Sequence, residues 1–344
     1  MQLFEKINTL LSGQKPFVCY VKPNESLWNL QVQQTNEIIA FSGQSGFVFV
    51  PFDAGIKVCF PNEISTFSQG NFEYLEQKLA DSFTSENNQK DAFENLVSKG
   101  IAAIQKGAFD KVVLSRKIVL KEQIALVATF QNLIATYPTA FRYLFFHPKI
   151  GLWMGATPEQ LVTINQNQFE TVALAGTQLF SEPIIWTTKE IEEQQFVTDF
   201  IVSEIASKVE NLVVSEPKTI KAGNLAHLKS VISGQLSDDF SVLDLITHLH
   251  PTPAVCGFPK ESALDFILNN EAFTRTYYSG FLGEYNSNNQ TDLFVNLRCL
   301  EVENNVVNIY VGCGITKDSN PEMEFLETEN KSMTMRNIIV FSVQ

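Results

Sequence analysis

The sequence predicts an α+β fold, a single layered domain of antiparallel sheets with helices packed outside. Three observations point there. Short runs of β-branched and aromatic residues recur along the chain, as strands prefer. Between them lie stretches with apolar residues at helical spacing. Across 344 residues no internal repeat, low-complexity tract or second composition regime divides the chain. Residues 1–344 therefore read as one domain. Residues 1–87 complete the sheet, and 88–344 carry the chemistry.

The elements follow in order. Phe17-Val-Cys-Tyr-Val21 and Gly46-Phe-Val-Phe-Val-Pro51 are strands, set among a few helical turns, and hold no chemical constellation. Residues 85–91 form a polar connector with turn chemistry. An amphipathic helix follows, with Phe93, Val97, Ile101 and Ile104 on one face, and Gly107 ends it. Residues 109–120 form a largely buried strand with Lys111 at its mouth. A lysine there is ordinary surface charge or, in a half-buried cleft, a base with a lowered pKa. Residues 141–146 and 152–156 are strands. The turn Thr157-Pro-Glu159 either only redirects the chain or presents Glu159 into a cavity. Residues 171–177 form a strand whose Gly-Thr end exposes an N–H and a hydroxyl.

From Thr188 to about Glu210 the spacing predicts a helix with an apolar stripe of Phe196, Val197, Phe200, Ile201, Ile205 and Val209. Glu193 points with that stripe, where a carboxylate is costly unless it is paired or on a metal. Glu190 and Glu192 diverge toward solvent. A loop containing Pro, Gly and Asn leads to a strand at 227–236 and a short helix at 242–248. Residues 250–260 form a loop stiffened by three prolines. A helix at 262–271 precedes two long antiparallel strands, 278–285 and 292–302, joined by 286–289. Arg298 sits in the second strand and calls for an anion, from the protein or from a ligand.

Residues 306–311 lead into the stretch Gly312-Cys-Gly-Ile-Thr-Lys-Asp-Ser-Asn-Pro-Glu-Met-Glu-Phe-Leu-Glu-Thr-Glu-Asn-Lys331. Gly312 and Gly314 let backbone approach a ligand. Asn320 caps a helix that Pro321 opens. Glu324, Glu327 and Lys331 share one face of it. Two readings stand: a solvated face with a Glu327–Lys331 pair, or a site for a hard metal ion and an anionic substrate.

A net charge of −13 argues against nucleic acid or an anionic membrane as partner. The five cysteines are scattered, with no zinc or redox spacing, and read as reduced thiols of a cytoplasmic protein. No signal core and no membrane-spanning stretch is found.

Taken in order, several segments resemble the chorismate-utilising enzymes, whose members share an anthranilate-synthase-component-I type fold. They are Phe109-Asp-Lys-Val-Val-Leu-Ser-Arg116, Ala156-Thr-Pro-Glu159, Ala173-Leu-Ala-Gly-Thr177, Lys189-Glu-Ile-Glu-Glu193, His227-Leu-Lys-Ser230, His250-Pro-Thr-Pro-Ala254, Tyr278-Ser-Gly280, Leu297-Arg298 and the 312–331 stretch. The likeness runs from about residue 88 to the end, and the part before it is shorter than in many relatives. Within the family the sequence is most similar to isochorismate synthases. Lys111 replaces the glutamine of anthranilate synthases. Ala175 replaces the nucleophilic lysine of aminodeoxychorismate synthases. Ala254 stands where salicylate- and anthranilate-forming relatives commonly carry threonine. Glu193-Gln194-Gln195 departs from the family's more frequent Glu-His or Glu-Asn.

The resemblance implies isomerisation of chorismate to isochorismate, in menaquinone or siderophore biosynthesis, by a monomer needing no glutamine amidotransferase. It implies Lys111 as general base toward water and Glu159 as general acid. It implies Mg²⁺ on Glu193 and Glu327, with Glu324 nearby. Tyr278 and Arg298 would hold the enolpyruvyl carboxylate. Gly176, Thr177, His250, Ala254, Gly314 and Lys331 would complete the pocket. A salicylate synthase, or a non-catalytic chorismate-binding relative, is the alternative.

Overall fold

The computed structural model describes residues 2–72, 89–180, 183–222, 225–303 and 306–342. In chain order the elements are α1 (Gln2–Ser12), β1 (Phe17–Val21), β2 (Leu27–Gln33), β3 (Gly46–Val50), β4 (Val58–Pro61) and β5 (Ser65–Asn71). Then come α2 (Lys90–Gln105), β6 (Lys111–Leu120), α3 (Leu126–Thr136), β7 (Phe141–His147), β8 (Gly151–Thr157), β9 (Gln160–Asn165) and β10 (Gln168–Leu179). Next are α4 (Thr188–Ile205), β11 (Val209–Val214), β12 (Lys218–Ala222), β13 (Leu225–Leu236), α5 (Val242–Leu249), β14 (Gly257–Phe258) and α6 (Lys260–Asn270). Last are β15 (Phe281–Ser287), β16 (Gln290–Val295), β17 (Cys299–Glu303), β18 (Val306–Ile315) and α7 (Pro321–Arg336).

The strands make two sheets. The first runs β14-β6-β18-β17-β8-β7-β1-β2-β5, and the second β11-β13-β10-β9-β16-β15-β3-β4 with β12 also on β13. Side-chain alternation explains why they stack. In β1, Phe17, Cys19 and Val21 face an aliphatic core under α1 and α3, while Val18 and Tyr20 face an aromatic core. In β3, Phe47 and Phe49 face that same aromatic core, while Val48 and Val50 face a third core under α4 and α5. The aromatic layer therefore lies between the sheets. Phe49 stacks on Tyr277 at 4.2 Å, and Phe141 on Phe294 at 4.4 Å. Helices α2, α6 and α7 flank the β6–β18 end of the first sheet.

Six expectations need correction. The helix that starts at Thr188 stops at Ile205, and Val209 belongs to β11, where the β-branched Val213-Val214 pair favours extension. The expected loop before residue 227 holds the strands β11 and β12. Phe196 is 51% exposed, so it leaves the buried stripe of Val197, Phe200, Ile201 and Ile205. The strand expected at 292–302 is two strands in different sheets, broken at Asn296–Arg298, with Arg298 at φ 47°. Of the expected connector, residues 85–88 lie outside the described residues, and Lys90 and Asp91 already belong to α2. Glu190 is half-buried rather than solvated, and closes a capping box with Thr187.

The break at 296–298 has a neighbour. The β8–β9 connection, Pro158-Glu159, also passes from the first sheet to the second. The two passages are hydrogen-bonded side by side. The Val295 N–H donates to the Glu159 carbonyl at 2.9 Å, the Thr157 hydroxyl to the Val295 carbonyl at 2.5 Å, and the Ala156 N–H to the Arg298 carbonyl at 3.0 Å.

Candidate active site

The site forms where these passages meet the β6–β18 pair. Gly312 and Gly314 lie two apart in β18, opposite Ser115 and Val113, so they open one face of the sheet. A Cβ on Gly314 would stand 2.9 Å from Cε and 3.5 Å from Nζ of Lys111. A Cβ on Gly312 would stand 3.0 Å from the Tyr278 hydroxyl. The two glycines thus make room for the lysine chain and the phenol together. Asn320 caps α7 by accepting from the Met323 N–H at 3.1 Å, and Pro321 takes the first turn, as expected. That helix aims Lys331 back at the strand. Its ammonium donates to the Gly312 carbonyl at 3.1 Å and pairs with Glu327 at 2.6 Å. The solvated-face reading of this pair is half right, since Glu327 is the exposed partner.

Electrostatics join the rest into one cluster. Burial lowers the Lys111 pKa, with Lys331 acting the same way and Glu193, Glu159 and Glu327 opposing. Burial raises the Glu159 carboxyl to about 7, against the pull of Lys111, Lys331 and Arg298. The lysine and the carboxyl are thus each shifted toward their neutral forms by desolvation. Burial also lowers Arg298, opposed by Tyr278, Tyr137, Glu327 and Glu159. Arg298 donates to the Thr334 hydroxyl at 2.8 Å, and among the described residues no carboxylate lies within 4.0 Å of it. A guanidinium so held is available to an anion.

Gly176 sits at a bulge in β10 with φ +70°, and a Cβ there would meet Glu190 of α4 at 3.0 Å. Thr177 follows it, opposite His227 of β13. Reading the sequence did not single out His227 as a site residue. Its half-buried imidazole is lowered by burial, bonds the Gly176 backbone, and is pushed further down by Lys331 and Arg298. The signal in the sequence was that it opens the His227-Leu-Lys-Ser230 segment. Ala254 lies in the turn just before Gly257 and Phe258, which pair with Val112 and Lys111.

His250 is placed elsewhere. Its imidazole contacts the Phe52 carbonyl at 3.2 Å and meets Phe281 edge-on at 5.0 Å. Burial pushes it down to about 4, and its charged neighbours are Lys260 and Lys57, not the Lys111 cluster. Glu193 is half-buried at the edge of the stripe, while Gln194 takes the buried line and donates to Thr198 and Ser230.

Among the described residues no three acidic, imidazole or thiol groups converge closely enough to bind a metal by themselves. Mg²⁺ needs less, since it uses one or two carboxylates and retains water. Glu324 is raised by burial and by Glu327 one turn away, and the field of Glu193 is felt at Lys111. These hard oxygen donors fit such an ion.

A two-sheet α+β fold that brings a half-buried lysine and a half-buried carboxyl beside Arg298 and Lys331 suits a small anionic substrate. The chain belongs to the chorismate binding enzyme family, whose model matches residues 57–340. It is 30% identical over 312 residues to the isochorismate synthase DhbC of Bacillus subtilis (strain 168), covering 83% of this chain and 78% of that protein. The isochorismate synthase EntC of Escherichia coli (strain K12) is 29% identical over 263 residues, 73% of this chain and 67% of that one. The structure of MenF, the menaquinone-specific isochorismate synthase from Escherichia coli, matches with a TM-score of 0.79 at 20% identity, over 94% of this chain and 88% of that one. Anthranilate synthase component I from Streptococcus pneumoniae TIGR4 matches at 0.69 and 19%, over 93% and 92%. At these identities the structures establish the fold.

Proposed function

We propose that this chain is an isochorismate synthase, converting chorismate to isochorismate by addition of water at C2 and loss of the C4 hydroxyl. One observation carries the reading: Lys111 and Glu159 are a lowered base and a raised acid inside one charged cluster. Lys111, as free amine, takes a proton from the attacking water while the C2–O bond forms. Both ring double bonds shift, C1=C2 to C1=C6 and C5=C6 to C4=C5, the C4–O bond breaks, and Glu159 gives its proton to the departing hydroxyl, which leaves as water. Arg298 and the Tyr278 hydroxyl receive the enolpyruvyl carboxylate, the arginine as a fork. Lys331 adds positive charge, and the backbone at Gly176 and Gly314 allows close approach. Glu193, Glu324 and Glu327 would hold Mg²⁺, which when bound supplies positive charge for the ring carboxylate. The isochorismate synthases named above support the same reaction.

Incubation with chorismate and Mg²⁺ is expected to give a mixture of chorismate and isochorismate, with little salicylate, and a chelator is expected to abolish turnover. Stoichiometric salicylate and pyruvate would overturn the product assignment. Full turnover in chelator would overturn the ion's role.

A further inference from the structure

Strand β6, which carries Lys111, has one edge paired with β18 throughout, but β14 covers the other edge only at Lys111 and Val112. Beyond that point exposed backbone groups would be buried without partners, which is costly. Side chains take the place of a strand. The Val113 N–H reaches the Cys256 carbonyl at 2.8 Å, and the Val113 carbonyl accepts from Arg275 at 2.7 Å. The Ser115 N–H and hydroxyl both donate to Oε1 of Glu271 at 2.8 Å. Glu271 and Arg275 close on each other at 2.6 and 2.8 Å, and each side chain is only 2% exposed.

The same pair reaches the other side of the site. Arg275 donates to the Val255 carbonyl at 2.8 Å, next to Ala254, and lies 4.4 Å over the Phe52 ring. The Arg275 carbonyl accepts the Tyr278 N–H at 2.9 Å. Its guanidinium is 6.0 Å from the Tyr278 ring, whose hydroxyl overhangs Gly312.

We propose that Glu271 and Arg275 are positioning residues of the reaction, a buried ion pair that substitutes for a missing strand and fixes Lys111 and Tyr278 in one frame. This rests on the functional reading above. Neither residue touches substrate in this role. Misplacing reacting groups by a fraction of an ångström to an ångström costs rate more than affinity for a substrate held mainly by other groups.

The test compares Glu271→Gln with Leu30→Ala, which opens a cavity in the aliphatic core at a position 1% exposed and far from the site. Both lose thermal stability. Well below its melting temperature, Leu30→Ala is expected to keep wild-type kcat. Glu271→Gln is expected to lose about tenfold or more in kcat with KM within about threefold. A Glu271→Gln protein that melts early yet keeps its kcat would overturn the proposal. Where that variant yields no folded protein, Ser115→Ala decides, since it removes one of the three bonds to Oε1. A several-fold fall in kcat at steady KM supports the pair, and unchanged kcat overturns it. Wild-type protein that leaves chorismate unaltered would sink the functional reading and this proposal with it. Active wild type alongside active variants would sink the pair alone.

Discussion

Lys111 and Glu159 are costly residues to keep, and the cost is legible in their acidities. The Glu159 carboxyl, ordinarily at 4.5, is raised to about 7 by burial. A folded pKa above the unfolded one means stability that is present below pH 4.5 and lost as pH rises through about 7. Glu159→Gln is therefore expected to be more stable than wild type above pH 7, by on the order of 1–3 kcal/mol, and to lose that advantage near pH 4.5. Urea unfolding at the two pH values checks this, and an equal difference at both would refute the sign. The same variant, like Lys111→Ala, is expected to lose about 10²–10⁴-fold in turnover. With Lys111 as base and Glu159 as acid, the wild-type rate is expected to fall at low pH as Lys111 protonates and at high pH as Glu159 ionises, with the alkaline limb near 7. Lys111→Ala retaining more than about a tenth of the rate would mean that another group activates the water. Sequence singled out this pair because both stand in short segments shared with a family. The surroundings of His250 were not legible, because a histidine beside prolines carries no mark of which way its ring turns. Here a backbone carbonyl at Phe52 claims it.

Among the elements, β18 carries the sharpest test. Gly314→Ala would place its methyl against the far end of the Lys111 side chain. The lysine is flexible and yields, so the fold is expected to survive while turnover drops about tenfold or more, because the amine is displaced. Gly312→Ala would instead meet the Leu114 carbonyl at 2.8 Å as well as the Tyr278 hydroxyl. Backbone cannot yield, so this variant is expected to lose melting temperature too. Thermal melts alongside kinetics separate the two, and equal stability losses would contradict the geometry. The caps, periodicity and glycine spacing of this strand and its helix were readable from sequence. The break between β16 and β17 was not. Hydropathy does not change there, because both sheets bury their strands on both faces. What turns the chain is Asn296, whose amide donates to the Tyr277 carbonyl and accepts from the Tyr143 hydroxyl.

At the scale of the whole molecule the two sheets share one aromatic core, built from β1, β3, β4, β7, β8, β15, β16, β17 and β18. Neither sheet can open without exposing it, and aromatic burial of this kind dominates core energetics. The chain is accordingly expected to unfold as one unit, despite its length. Near-ultraviolet and far-ultraviolet signals would then coincide along a urea titration, and two separated transitions would refute it. The fold class was legible because strand-like and helix-like periods alternate so clearly. The division into two sheets was not, because a strand buried on both faces reads only as an apolar run.

The paired passages at Pro158-Glu159 and Asn296–Arg298 have a mechanical consequence. Because they are tied to each other at three points, the acid and the arginine travel as one body. Lys111 travels with the far end of the first sheet, braced by β18. A change in the angle between the sheets would leave the acid and arginine in step and alter chiefly their separation from the amine. On the proposed mechanism, that separation is the distance such a change would disturb. Substitutions deep in the aromatic layer, remote from any reacting atom, would act on the rate through that single distance.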